Sequence, residues 1–367
     1  MSSRPALERR LVSALDGSPS RIPFVVGMCG TGRTTLLQGL QRQRGMRACQ
    51  YVDVERSATT PERFYRALIS TSPFRTSDTR PIKTPRDAFG AIAAFLTLAR
   101  GDGGQPATFL LDEVLEFRTF ESFPGLRGLV VDLFNALGQS ENKFVLTTRY
   151  AHRAERLVRD PGRFLLVRMP PLTEGDIREA LAGAPKDRAA APAPDSTFHD
   201  AAHVVQVLSD GHAAYARDIC DQMAALSRDG GADPVSALTA LLAPHGRLSA
   251  RCGFSYELRL HRARGYGALK AILDILAQEN VPLTLTEIAQ RLHRTPGSTK
   301  DYLSWLEDVD LVAMNRKRYG FADPVLRVWV RLHCRPVPPQ EEEVAREVQR
   351  YAMDRLARAP ETLAVTA

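Results

Sequence analysis

The sequence predicts an α/β fold: a parallel sheet in the first half, a helical region after it, and a winged helix-turn-helix near the end. Three observations carry this. Up to about Thr173, apolar runs of strand length alternate with helical patterns, which is the signature of a parallel sheet built from βα units. A proline-rich stretch, "GAPKDRAAAPAPDST" (Gly183–Thr197), then separates this part from a segment of helical periodicity. Further on, two short helical patterns around a tight turn precede a hairpin with a basic tip.

Taken in order, Arg4–Leu15 reads as a short amphipathic helix leading into the first strand. Strands are expected at Phe24–Met28, Cys49–Val54, Thr108–Val114, Phe144–Thr148 and Phe164–Met169. Helices are expected between them at Thr34–Arg44, Thr60–Ser70, Pro85–Arg100 and Leu126–Gly138. "TSPFRTSDTRPIKTPRD" is a loop by composition. Phe198–Ala225 should form a small helical subdomain. Gly267–His333 reads as one compact unit: helix "ALKAILDILAQE", helix "LTEIAQRLH", turn "RTPG", helix "STKDYLSWLEDV", then the hairpin of "LVAMNRKRYGFADP". "VPPQ" breaks the chain before a last helix, in which Val344, Val348, Tyr351 and Leu356 form one stripe. The expected division is an N-terminal helix (1–20), a sheet domain (21–182), a linker (183–197), a helical subdomain (198–250), the winged helix (251–335) and a helical tail (336–367).

Composition bounds the function classes. With 367 residues, 44% hydrophobic and 25% charged, the chain has room for two or three ordinary globular domains. Its apolar runs are far too short to span a bilayer, and the N-terminus lacks the apolar core of a signal peptide, so no membrane partner is expected. Cys29, Cys49, Cys220, Cys252 and Cys334 are scattered, with no C-x-x-C pair. That argues against a disulfide framework or a zinc site and for reduced cysteines in a cytoplasm. The formal charge of +7 permits a nucleic-acid partner without requiring one.

The chemistry centres on "FVVGMCGTGRTTLLQGL". A short strand, a glycine-rich turn and a helix start give the layout of a phosphate-binding loop, G-x-x-x-x-G-K-[ST], with Arg33 in the lysine position. Such a loop works because backbone N–H groups, aimed by glycines, surround a phosphate at a helix N-terminus. Gly27, Gly30 and Gly32 supply that freedom, and Thr34 is placed to offer its hydroxyl to Mg²⁺. Cys29, inside the loop, reads as a small filler. Only six of the basic residues are lysine, so a drift toward arginine is the plain explanation of Arg33, to be weighed against a functional one.

A second element is "TFLLDEV". It delivers Asp112 to the carboxyl end of a strand, where it can hold Mg²⁺ through water, with Glu113 beside it to orient or deprotonate a water molecule. An acidic pair can also simply end a strand; the phosphate loop upstream favours the metal site. A third, "KFVLTTRY", places Thr147, Thr148 and Arg149 at the end of the next strand, either as a solvated end or as γ-phosphate readers.

In this order, "GMCGTGRTT", "FLLDEV" and "FVLTTR" resemble the P-loop ATPases of the additional-strand type, and more narrowly the STAND class in its archaeal-type branch. "VVQVLSDGHAAYARDICDQM" is similar to that family's lid helix, and "RYGFADPVLRVWVRL" to the end of its winged helix, so the resemblance spans roughly residues 20 to 335. It implies a sheet ordered 5-1-4-3-2, a helical lid over adenine, ATP and Mg²⁺ as ligands, and ATP-dependent switching. By position, Gly27, Met28, Cys29, Gly30, Thr31, Gly32, Arg33, Thr34 and Thr35 would hold phosphates and metal. Asp112 and Glu113 would make the metal and water site, Thr148 and Arg149 would sense the γ-phosphate, and Gly211 and His212 would approach the base. Two positions depart from the pattern: Arg33 replaces the loop lysine, and Ala213 the lid proline.

In the winged helix, Ser298, Thr299, Lys300 and Tyr302 lie near the start of the helix that would enter a DNA groove. Asn315, Arg316, Lys317 and Arg318 form the hairpin tip. Between Arg251 and Arg335 there are fourteen Lys or Arg against nine Asp or Glu, although Glu307, Asp308 and Asp310 make the far end of that helix acidic. Contact with double-stranded DNA and packing against a protein both remain open. Trp305 and Trp329 sit at apolar spacings and read as core. The functional expectation is an ATP-binding switch with slow hydrolysis, coupled to DNA, a protein partner or a homo-oligomer. The alternatives are a non-hydrolysing scaffold or DNA-binding regulator, and an AAA+ loader using Arg153, Arg156 or Arg159 as a finger.

Overall fold

The computed structural model describes residues 4–76, 81–158, 162–182, 195–226, 233–263 and 266–362. Most of the expected linker, 183–194, lies outside them. The chain divides into two compact units, one from Ser3 to Met169 and the other from Pro170 to Ala367.

The first unit runs α1 (Pro5–Asp16), β1 (Ile22–Val26), α2 (Arg33–Arg44), β2 (Gln50–Asp53), α3 (Val54–Ser57), α4 (Pro61–Ser70), α5 (Pro85–Leu98), β3 (Thr108–Asp112), a 3₁₀ stretch (Val114–Ser122), α6 (Leu129–Gln139), β4 (Lys143–Thr148), α7 (Ala151–Leu157) and β5 (Phe164–Arg168). Local chemistry starts the helices. Thr60 caps α4 by accepting from the Arg63 N–H, and Thr84 and Asp87 form a reciprocal capping box at α5, each with proline following the cap. The five strands are all parallel, in the order β2-β3-β4-β1-β5, as expected.

Strand parity sorts the core into two faces. Val25, Leu110 and Val145 point to the side covered by Leu7, Leu11 and Leu15 of α1 and by Leu36, Leu37 and Leu40 of α2. Their neighbours Phe24, Val26, Phe109, Leu111, Phe144 and Leu146 point the other way, onto an aromatic-rich layer that includes Phe64, Phe95, Phe117, Phe120 and Phe134. With both faces covered, the strands read as nearly continuous apolar runs, which is why they are visible in sequence. The strands' carboxyl ends then share one edge, where loops can carry chemistry.

The second unit is α8 (Glu174–Ala182), α9 (Asp195–Ser209), α10 (Ala213–Leu226), α11 (Pro234–Leu242), α12 (Arg247–Arg262), α13 (Tyr266–Gln278), β6 (Leu283–Thr284), α14 (Leu285–Leu292), α15 (Pro296–Asp308), β7 (Val312–Asn315), β8 (Arg318–Phe321), α16 (Pro324–His333) and α17 (Glu341–Thr362). The antiparallel sheet β6-β8-β7 with α13–α15 forms the winged helix-turn-helix. One buried cluster, from Leu172 to Ala352, joins the helical segment, the winged helix and α17, and α12 runs straight across the division expected at residue 250. Val344, Val348 and Tyr351 of the expected stripe are buried. Trp329 is buried as expected, but Trp305 is 39% exposed. Its helical spacing is apolar, yet it falls on the outward face of α15. Among the described residues no helix is long and apolar enough to cross a membrane.

Polar contacts tie this core together. The Tyr215 hydroxyl donates to Asp323 Oδ2 at 2.5 Å, while Asp323 Oδ1 caps α16 by accepting from the N–H groups of Val325 and Leu326. Burial and the Asp323 charge both push the Tyr215 phenol up. Tyr215→Phe should therefore destabilise the fold by about 1–3 kcal/mol, because it leaves a buried carboxylate oxygen short of its donor. Urea unfolding of the two proteins measures this.

Candidate functional site

The loop between β1 and α2 leaves the sheet at Gly27, whose N–H donates to the Thr148 carbonyl of β4 at 3.2 Å. Gly30 and Gly32 hold φ of 87° and 98°, conformations that side chains other than glycine rarely adopt, and Gly32 is the N-cap of α2. The approach at Gly27 is close: a Cβ there would lie 2.9 Å from both Met169 Cβ and Thr31 Oγ1. Thr31 closes the turn, donating through Oγ1 to the Met28 carbonyl at 2.8 Å. The first N–H groups of α2, which have no intrahelical acceptor, thus lie directly after the glycine-rich turn that follows β1. Cys29, read as a filler, is exposed in this loop, and so is Thr35.

Three strand ends meet there. Asp53 of β2 pairs in register with Asp112 of β3, and β4 lies on the other side of β3. Asp112 is buried and accepts three hydroxyls: Thr34 Oγ1 at 2.6 Å and Tyr51 at 3.0 Å on Oδ2, and Thr147 on Oδ1. Burial and the adjacent Asp112 charge push the Tyr51 phenol up. Next along the chain, Glu113 is buried at φ 54°, a left-handed backbone that turns its side chain back toward the loop. Its N–H donates to Thr147 Oγ1 at 3.1 Å.

Glu113 is held between two arginines. Arg33 Nη2 reaches its Oε1 at 2.5 Å, with both side chains more than 90% buried. Arg149 donates its backbone N–H to Oε2 at 3.0 Å and approaches Oε1 with Nε at 3.1 Å. Arg149 also pairs with Glu55, just beyond β2. Burial would lower the Arg149 guanidinium, but the charges of Glu113 and Glu55 outweigh it and hold the group above its ordinary range.

The expected loop residues, Arg33, Thr34, Asp112, Glu113 and Arg149 thus come together at one edge. Thr148 faces elsewhere. Its hydroxyl accepts from the Tyr150 N–H at 3.2 Å and it is fully buried, because strand alternation gives the site-facing position to Thr147. Tyr51 and Glu55 were not expected; both sit at the end of the strand beside β3, a neighbour that only the strand order supplies. Of the finger candidates, Arg153 lies on α7 with its guanidinium 4.8 Å from the Tyr150 ring centre; Arg156 is also on α7, and Arg159 lies outside the described residues.

Two observations test whether these residues fit a magnesium nucleotide. Arg33 Nε and Nη1 are buried with no hydrogen-bond partner among the described residues, a costly state that an oxyanion would relieve. The Thr34 hydroxyl and Asp112 carboxylate are hard oxygen donors 2.6 Å apart. No group of three or more His, Cys, Asp or Glu side chains that could hold a metal exists among the described residues. A magnesium ion held by one carboxylate, one hydroxyl, waters and phosphate oxygens needs none. The residues fit.

Gly211 and His212 belong to the second unit. Gly211, at φ 64°, sits against Pro171 and Leu172, and its carbonyl accepts from the Leu172 N–H at 2.7 Å. His212 is buried and stacks on Tyr215 with ring centres 3.9 Å apart.

In the winged helix, Lys300, Arg316, Lys317 and Arg318 are exposed and Ser298 is half-buried. Thr299 is corrected: it is fully buried, its hydroxyl donates to the Thr295 carbonyl, and it cannot meet DNA. Asn315 pairs with Arg318, so Arg316 and Lys317 are a two-residue hairpin loop, both at positive φ (48° and 65°). Arg318 is partly committed inside the protein, to the Pro282 carbonyl at 3.0 Å and to Glu287 at 3.6 Å. One helical face of α15 carries Asp301, Trp305 and Asp308.

Comparison with known proteins agrees with this architecture. A family model described as the IclR helix-turn-helix domain matches residues 270–315. The fold is shared with a Walker-type ATPase of Pyrococcus abyssi, at 18% identity and a TM-score of 0.63, over 90% of this chain and 96% of that one. Looser overlaps are with the Orc1 protein of Aeropyrum pernix in complex with DNA (18% identity, TM-score 0.45, 98% and 94% covered) and with a Pyrococcus horikoshii signal transduction ATPase with numerous domains that carries a tetratricopeptide repeat sensor (15%, TM-score 0.32, 98% and 45% covered). No curated protein matches by sequence.

Proposed function

We propose that this protein is a magnesium-dependent ATP-binding switch with slow hydrolysis, read out through its winged helix by DNA. The observation that carries the nucleotide half is the buried guanidinium of Arg33 at the N-terminus of α2, with two nitrogens lacking an acceptor among the described residues, beside the Thr34–Asp112 pair. The loop N–H groups and Arg33 would bind the phosphates, and Thr34 and Asp112 would hold the metal. Bound Mg²⁺ would supply charge neutralisation on the phosphates. Glu113 would orient a water molecule and accept its proton. Arg149 would keep that carboxylate in place. Isothermal titration with Mg²⁺·ATP, and phosphate release with and without double-stranded DNA, test this reading.

The winged helix supports DNA as the partner through the helix-turn-helix family match and the two exposed cations at the hairpin tip. Replacing Arg316 and Lys317 by asparagine and glycine removes both charges while installing residues that a turn with two positive φ values prefers. Affinity should then fall alike on all DNA sequences. The slope of log affinity against log salt should flatten by about 1.8, from two phosphates at roughly 0.9 counterions each. An unchanged slope would favour a protein partner, the second reading, for which Asp301, Trp305 and Asp308 on the recognition helix argue.

A further inference from the structure

Glu55, Arg149, Glu113 and Arg33 form a chain of alternating charge from the end of β2 to the phosphate loop. In it, the side chain best placed to receive a phosphate is already bonded to the side chain best placed to handle water. Glu113 has a second holder, the Arg149 N–H at 3.0 Å, that does not depend on Arg33. Among the described residues, Arg33 Nε and Nη1 have no acceptor.

We propose that Arg33 is a latch on Glu113: phosphate and carboxylate compete for one guanidinium, and Glu113 is released only when a nucleotide draws Arg33 away. This rests on the nucleotide reading above and assigns Arg33 a positioning role that a bare count of loop motifs does not contain. The physics is that of a buried ion pair. Neither partner leaves without a replacement, since an unpaired charge in this setting is strongly unfavourable. A phosphate is the one replacement that the loop is shaped to deliver, and Arg149 keeps the freed carboxylate from swinging out. The site is therefore closed to water chemistry until it is filled, and part of the binding energy of the nucleotide is spent on opening the latch.

The test is a double-mutant cycle read in nucleotide affinity, using the β,γ-imido analogue of ATP with Mg²⁺ on native protein, Glu113→Gln, Arg33→Met and the double variant. Glu113→Gln should tighten binding about tenfold in the native background, because glutamine no longer competes for the guanidinium. In the Arg33→Met background the same change should shift affinity less than about threefold, the remainder being direct repulsion between Glu113 and phosphate. Equal shifts in both backgrounds overturn the latch and leave the nucleotide reading intact. Absence of binding by all four overturns both. Melting curves without nucleotide supply a second readout and show that the variants fold. Each single replacement should lower the melting temperature by more than the double variant's shift apportions to it, and additive shifts count against the latch as well.

Discussion

Arg33→Lys is expected to raise ATP turnover by about tenfold or more, a lowering of the barrier by about 1.4 kcal/mol, with little change in affinity. A lysine ammonium is a compact charge with three rotatable donors on a thin stem, able to follow the γ-phosphoryl group as it moves toward water. The arginine fork binds phosphate oxygens well but is wider and planar, so it stabilises the ground state as well as the transition state. In this protein it also pairs with Glu113 at 2.5 Å, a pairing that a lysine ammonium can make as well, so affinity changes little. The difference in transition-state stabilisation is what acts on turnover. Steady-state phosphate release and titration, run on both proteins, separate the two parameters. Equal turnover would mean that the arginine is a neutral consequence of composition.

Glu113→Gln is expected to abolish measurable turnover while nucleotide binding is kept or strengthened. The amide preserves the shape of the side chain and can still accept from the Arg149 N–H, but it is not a base. The buried position and left-handed backbone of Glu113 make it unsuited to a merely solvated strand end. Unchanged phosphate release in this variant would remove Glu113 from the chemistry and leave its pairing with Arg33 and Arg149 as a structural contact.

The sheet was legible because its central strands β1, β3 and β4 are buried on both faces, so that apolar runs such as "TFLLDEV" and "KFVLTT" stand out. The phosphate loop and the acidic pair were legible for a different reason: their chemistry is local, and spacing along the chain fixes it. What sequence could not supply is parity and neighbourhood. Thr147 and Thr148 are adjacent, and only the pleat decides that Thr147 meets Asp112. Tyr51 and Glu55 lie about sixty and ninety residues from their partners Asp112 and Arg149, and only the order β2-β3-β4 brings them near. The 3₁₀ stretch Val114–Ser122 escaped because its Phe117 and Phe120 repeat at three, too short for the helical period sought. In the winged helix, Thr299 and Trp305 exchanged places: the polar residue is inside and the indole outside, a matter of where α15 turns rather than of hydropathy.

The most direct test of the nucleotide site is isothermal titration of the native protein with Mg²⁺·ATP, carried to millimolar nucleotide. Saturable binding that is weakened when Thr34 or Asp112 is replaced by alanine is the expected result, since that pair is what the loop presents to the metal. No binding by the native protein at millimolar ATP would contradict it, and the glycine-rich loop, its buried arginine and the acidic pair would then be a structural core without a ligand.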